Sequence, residues 1–163
     1  MIFVSVGTQK FPLDRLLKEV DALVEQGVIN EPVYAQIGAS DYSPEHYEFT
    51  DYMNPEDFET KVNESDLIIT HSGVGTIVDA IKKRKHVVVY PRLAKFGEHV
   101  DDHQIEIAQS FEDAGLVVCC GENDSLADKI ELARKKKYKT FVSCKRKHVR
   151  TIRNFLENEV KPK

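Results

Sequence analysis

Between Asp66 and Ile81 the chain reads DLIITHSGVGTIVDAI, and the residues able to do chemistry there are regularly spaced. Ser72, Gly73, Gly75 and Thr76 form a glycine-rich break between an apolar run, Leu67-Ile68-Ile69, and a segment of helical period from Thr76. The run is short and β-branched, as expected of a strand buried on both faces. A strand, a glycine turn and a helix leave unpaired backbone N–H groups at the helix N-terminus, where the dipole favours an anion. Asp79 follows Thr76 by three residues, so both side chains share one face of the first turn. A carboxylate there can accept hydrogen bonds from a ribose diol while the turn cradles phosphate. The alternative is a tight turn in which Asp79 only complements the dipole, and these residues alone leave both readings open.

Three further groups could take part. Gly7-Thr8-Gln9 follows the strand pattern Ile2 to Val6 and is a second loop of the anion-binding kind. His71, at the end of the central strand, is a candidate base, although a histidine hydrogen-bonded within the turn is the commoner case. Asp101-Asp102-His103-Gln104 is close to a capping box with Asp101 as the cap. A rigid helix start there would aim His103 and Gln104 toward strand ends, where they could bind sugar hydroxyls. His99, His103 and Asp102 could instead clip a metal, but the HExxH arrangement is absent and His99 falls before the helix, so no metal is expected.

Other chemistries are excluded by spacing. Gly73-Val74-Gly75 lacks the third glycine of a dinucleotide fingerprint, since Val78 holds that place. No Gly-Lys-Ser/Thr phosphate loop is present, and neither a Ser–His–Asp set nor a hydrolase pair of carboxylates stands out.

The elements that must position these residues can be read in order. Leu13, Leu16, Leu17, Val20, Leu23 and Val24 recur at helical spacing, with Pro12 at the start and Gly27 at the end. Pro32 to Ile37 reads as a strand stopped by Gly38, and Tyr47 to Phe49 as a short third one. A helix runs from Pro55 to about Ser65. Beyond the central unit come a strand at Val87 to Tyr90, an irregular loop from Arg92 to His99, and a helix from Asp101 or Asp102 to Ala114. A strand at Leu116 to Cys119 and helices at Ser125 to Lys136 and Val149 to Val160 complete the pattern. Strands alternating with helices predict an α/β, Rossmann-like fold, a mostly parallel sheet covered on both faces, with the ligand at the carboxyl ends of the strands. Every loop singled out lies at such an end.

Composition sets the class. The 163 residues, 41% hydrophobic and 31% charged, suit one soluble domain spanning 1–163. No run approaches the ~18 apolar residues of a membrane span, and Met1-Ile2-Phe3-Val4 enters a strand pattern directly, so a cytoplasmic protein is expected. Cys119, Cys120 and Cys144 are odd in number and fit no zinc pattern, which predicts buried thiols in a reducing compartment. The net charge of −4 hides an asymmetry: ten of the 23 Lys and Arg lie between Arg134 and Arg153, which holds no Asp or Glu. That basic segment, 134–153, suits an anionic membrane surface, an acidic partner or nucleic acid, or else is a solvated face.

Three blocks in order, Val4-Ser5-Val6-Gly7-Thr8, then Thr70-His71-Ser72-Gly73 with Gly75-Thr76, and Asp101-Asp102-His103-Gln104, resemble the glycosyltransferase family 28 C-terminal domain. That domain is the donor-binding half of two-lobed (GT-B type) transferases. The likeness runs from Met1 to about Leu132. It is closest to the small stand-alone form, the catalytic subunit of a two-part UDP-GlcNAc transferase of N-glycan assembly, and to bacterial counterparts in capsule and exopolysaccharide synthesis. The resemblance implies a UDP-sugar as donor substrate, with no other cofactor. By it, Gly7 and Thr8 would face the diphosphate and sugar, Tyr52 and Met53 would flank uracil, and Ser72, Gly73, Gly75 and Thr76 would hold phosphate. Asp79 would hold the ribose, where the lipid II enzyme has Glu, and His103 and Gln104 would bind the sugar. The acceptor half is missing, so a membrane-anchored subunit would supply the site for a lipid-linked saccharide acceptor and a general base. The chain would then sit at the cytoplasmic membrane face through that partner, without contacting nucleic acid. A non-catalytic nucleotide-binding subunit, or an epimerase or hydrolase acting alone, are the competing classes.

Overall fold

The structure, a computed structural model, describes residues 1–138. Short apolar segments form β1 (Ile2–Ser5), β2 (Val33–Gln36), β3 (Glu48–Thr50), β4 (Leu67–Thr70), β5 (His86–Val89) and β6 (Val118–Cys119). They alternate with α1 (Asp14–Glu25), α2 (Pro55–Glu64), α3 (Val74–Lys82), α4 (His103–Asp113) and α5 (Leu126–Lys135), and a single 3-10 turn spans Ala94–Phe96. The strands pair in parallel, in the order β3-β2-β1-β4-β5-β6. The chain therefore builds outward from β1 to β3, then returns to place β4 on the other side of β1. This reversal is the crevice at which open α/β sheets take ligands.

Alternation along each strand divides the core between two faces. Ile2 and Val4 of β1 and Leu67 and Ile69 of β4 pack with α1 and α5, through Leu16, Leu17, Val20, Leu126 and Ile130. Phe3 and Ile68 turn the other way, onto α2, α3 and α4, through Val62, Ile77 and Phe111. With both faces covered, β1 and β4 are buried along their whole length, as their uninterrupted apolar runs require. The α/β Rossmann-like expectation is met.

Several boundaries differ from the sequence reading, each for a local reason. The helix after the central strand opens at Val74, not Thr76, with Gly73 as its cap, so Gly75 and Thr76 lie inside the first turn. Pro12 does not open α1, which begins at Asp14 behind the buried Leu13. Leu116 is not in the last strand, because its N–H donates to the Phe111 carbonyl (3.1 Å) in the turn that closes α4. The capping box at 101–104 does not form. Asp101 Oδ1 accepts from the His103 N–H (2.9 Å), while Asp102, the residue at the cap position, accepts from Ala94 N instead (2.9 Å). The α2 start is as expected: Pro55 opens it and the Asn54 side chain accepts from Asp57 N (2.8 Å).

Cys119 and Cys120 are free thiols, and burial pushes both up, Cys120 to about 12. Among the described residues no helix is long and apolar enough to cross a membrane. Within the described start of the basic segment, Arg134 pairs with Glu31, Lys135 with Glu131 (2.6 Å), and Lys136 donates to the Val117 carbonyl (3.1 Å). The remainder of segment 134–153, Cys144 and the expected helix at Val149 to Val160 lie outside the described residues.

Candidate functional site

Because β1 and β4 are neighbours in register, Ser5 opposite Thr70, the loops that leave their carboxyl ends emerge side by side. Gly7 and Gly73 meet across that seam with the His71 ring between them. Gly7 has φ +80°, and a β-carbon there would run into His71 Nε2. Gly73 has φ −73°, an ordinary value, yet a β-carbon would lie 2.6 Å from His71 Cε1. Both glycines are required by the same imidazole, and only Gly7 also by its backbone angle.

Over this seam opens a cavity of about 540 Å³. Gly7, Thr8 and Gln9 line one side; Gly73, Gly75, Thr76 and Asp79 line the other, along the first turns of α3. The first bond within that helix is made by Ile77 N to the Gly73 carbonyl (3.1 Å), so the N–H groups of Gly75 and Thr76 precede it without an intrahelical acceptor, an arrangement that favours an anion. Gly75 has no neighbour within 4 Å of where a side chain would start. Asp79 and Glu59, from α3 and α2, stand at the rim, bridged by Lys83 at 3.2 and 3.4 Å.

His71 is 5% exposed, and its Nδ1 lies 3.3 Å from Gln104 Nε2. Burial first, then the Arg92 charge, with a smaller push from His99, lower its pKa to about 3 against the opposing bond from Gln104. The ring is therefore neutral at physiological pH. Arg92 itself is wholly buried and donates to the carbonyls of Phe11 (2.8 Å), Pro12 (3.1 Å), Glu98 (3.3 Å) and Val6. It thereby ties the loop after β5 to the loop after β1, and so holds Gly7 and Thr8 in place.

Of the residues singled out in the sequence, Gly7, Thr8, Met53, His71, Gly73, Gly75, Thr76 and Asp79 come together around this cavity. Tyr52 lines an adjoining hollow of about 430 Å³ with Tyr34 and Lys61, and Met53 lines both. Ser72 is 1% exposed and turned away, and its N–H donates to Gln104 Oε1 (3.4 Å). Gln104 is 4% exposed and does not reach the cavity, since its amide is held by Ser72, Arg92 and His71. His103 lies away from it, bonded to Glu106 (3.2 Å). His99 is bonded to Asp101 (3.3 Å), and among the described residues no three His, Cys, Asp or Glu side chains converge as metal ligands.

Five participants escaped the sequence reading: Ser5, Gln36, Pro55, Phe58 and Glu59. Gln36 Oε1 accepts from Met53 N (3.1 Å) and fixes the loop that borders the second hollow. A polar residue ending an otherwise apolar parallel strand was the available signal for Ser5 and Gln36.

The sequence model of the glycosyltransferase family 28 C-terminal domain matches residues 1–157. The UDP-N-acetylglucosamine transferase subunit ALG13 of Yarrowia lipolytica is 31% identical over 80 residues, 49% of this chain and 36% of that protein. Its Saccharomyces cerevisiae counterpart is 32% identical over 74 residues, 42% and 35% of the two chains. The chain thus spans little more than a third of the length of these relatives. Among solved structures, the solution structure of ALG13 matches with TM-score 0.58 at 19% identity, over 93% of this chain and 94% of that one. The glycotransferase of kitacinnamycin matches with TM-score 0.56 at 19% identity, over 96% of this chain but 39% of its own. These two likenesses establish the fold.

Proposed function

Because the chain belongs to the glycosyltransferase family 28 C-terminal domain family, we propose that it is the donor-binding catalytic subunit of a heteromeric, inverting hexosyltransferase. The donor is a UDP-sugar, and the acceptor is a lipid-linked saccharide presented by a membrane-anchored partner in glycan or polysaccharide assembly. The observation that carries this reading is the paired-glycine seam, where Gly7, Gly73 and the N-terminus of α3 enclose one anion-sized floor beneath a carboxylate rim.

The diphosphate would lie over the N–H groups of Gly75 and Thr76, with Asp79 accepting from the ribose hydroxyls. Uracil would occupy the hollow between Tyr52 and Met53. The acceptor hydroxyl attacks the anomeric carbon from the face opposite the diphosphate. The bond from that carbon to the diphosphate oxygen breaks, UDP carries away the electron pair, and the acceptor's proton passes to a base on the partner. This chain's part is to hold the donor in line and offset charge on the leaving diphosphate with fixed dipoles. A neutral, buried His71 is suited to donating a hydrogen bond and not to taking a proton at neutral pH. The cytoplasmic face of the membrane, reached through the partner, is the corresponding place of action.

Calorimetric titration with UDP, UDP-glucose, UDP-galactose, UDP-GlcNAc and UDP-glucuronate, followed by turnover with and without the co-expressed membrane partner, tests the proposal. Binding of UDP and of one preferred sugar, with transfer only in the presence of the partner, is expected. Binding without transfer in either setting would indicate a non-catalytic subunit, and hydrolysis or epimerisation by the chain alone would overturn the two-part reading.

A further inference from the structure

His71 and Gln104 make a contact whose chemistry is decided by the backbone around it. Two donors that cannot change identity, the N–H groups of Ser72 (3.4 Å) and Arg92 (3.0 Å), point at one end of the Gln104 amide. That end must be the oxygen. The NH₂ end then faces His71 Nδ1 at 3.3 Å and can only donate to it. A proton on Nδ1 would set donor against donor. Turning the amide over would relieve that clash only by setting its NH₂ against two backbone N–H groups, and no orientation satisfies all four groups with Nδ1 protonated.

We propose that Gln104 is the positioning residue that locks His71 as its Nε2–H tautomer, so that a neutral histidine presents a hydrogen-bond donor to the cavity floor between Gly7 and Gly73. The Nε2 edge is the one that a β-carbon on either glycine would strike, 2.7 Å away in the case of Gly73. Among the described residues no partner takes Nε2. Gln104 lies in the first turn of α4, whereas His71 follows β4 and Arg92 follows β5, so a single buried amide registers a helix start against two loops. A glutamine at this place therefore contributes without touching a ligand, through the proton position of its neighbour. That this donor serves the diphosphate rests on the function proposed above; the tautomer itself does not.

The full chain carries six histidines, few enough for each ring to be assigned by long-range ¹H–¹⁵N spectra, with His71→Gln identifying the ring in question. At pH 7 the wild-type His71 should show an unprotonated Nδ1 and a protonated Nε2. In Gln104→Glu the carboxylate offers acceptors only, so Nδ1 should gain a proton, and UDP affinity should fall roughly tenfold, the effect of about one lost hydrogen bond to a charged group. A wild-type ring protonated on Nδ1, or an even mixture of tautomers, would overturn the proposal. So would a Gln104→Glu ring with Nδ1 still bare. Should that variant fail to fold, the wild-type spectrum decides alone. Addition of UDP should then move the Nε2 resonance and spare Nδ1; an unmoved Nε2 in a ring of the expected tautomer would sink the nucleotide reading while leaving the Gln104 lock intact.

Discussion

Replacing three glycines by alanine one at a time should give three different results, although all three line one cavity. At Gly73 the backbone angle, φ −73°, accepts any residue, so any cost must come from contact. The new β-carbon would lie 2.6 Å from His71 Cε1 and 2.7 Å from Nε2, closer than such atoms come, and the ring must move. Overpacking of this kind costs about 1–3 kcal/mol. Displacing the ring also breaks its bond to Gln104, about 0.5–1.5 kcal/mol more. Gly73→Ala should therefore lose about 1.5–4.5 kcal/mol. Gly7→Ala meets the same ring and adds a left-handed backbone, φ +80°, for about 1–2 kcal/mol beyond that. Gly75 sits in the first turn of α3 with open space before it, so Gly75→Ala should hold or gain up to about 1 kcal/mol from helix propensity. Its methyl group nevertheless projects into the cavity and should weaken UDP binding. Urea unfolding midpoints read the first quantity and calorimetric titration the second. A Gly73→Ala midpoint equal to that of the wild type, or equal losses at Gly73 and Gly75, would refute the assignment of His71 as the obstacle.

Asp79→Ala should leave stability within about 0.5 kcal/mol, since its half-exposed carboxylate makes only an i,i+4 pair with Lys83, while UDP affinity falls about ten- to a hundred-fold by calorimetry. Arg92→Met leaves the carbonyls of Val6, Phe11, Pro12 and Glu98 without their donor, and urea unfolding should show a loss of at least about 3 kcal/mol. His71 titrates near 6.5 when unfolded and at about 3 when folded, so between those values the unfolded chain holds the extra proton. Stability should then fall as pH drops from 6.5 toward 4.5, by up to about 1.4 kcal/mol per unit, in midpoints measured across that range; a flat profile would mean that the ring is not buried.

The fold was legible because its signals are local. Apolar runs of four residues bounded by glycine or proline gave the buried strands, and Pro55, Gly27 and Gly115 marked helix ends that the chain respects. The glycine loops were legible for the same reason, since a loop at a strand's carboxyl end in such a sheet is already near the ligand crevice. What could not be read was which polar side chains turn inward. Gln104 has the type and place of a sugar ligand, but three buried partners, on the loops after β4 and β5, draw its amide into the core. At Gly73 the constraint is space, set by a ring two residues away that no local pattern shows. Arg92, in what reads as an irregular loop, is the most deeply buried cation among the described residues. No periodicity could announce it, because its role is defined by four carbonyls, three from the loop after β1 and one from its own loop.

The charge layout that results has a direction. At the floor lie donors without formal charge, the N–H groups that open α3 and the neutral ring of His71, while the Arg92 cation sits one layer below, its two terminal nitrogens held by carbonyls. At the rim stand two carboxylates, Asp79 and Glu59, joined by Lys83. A ligand entering with its anionic part at the rim would meet like charge, and one bringing hydroxyls to the floor would leave the helix N-terminus without an anion. An anionic centre seated deep, with hydroxyl groups held outward, satisfies both layers. A nucleoside diphosphate, the donor half of the transfer proposed above, carries its charge beside a ribose diol and would meet both layers, whereas free phosphate or a free sugar would meet only one.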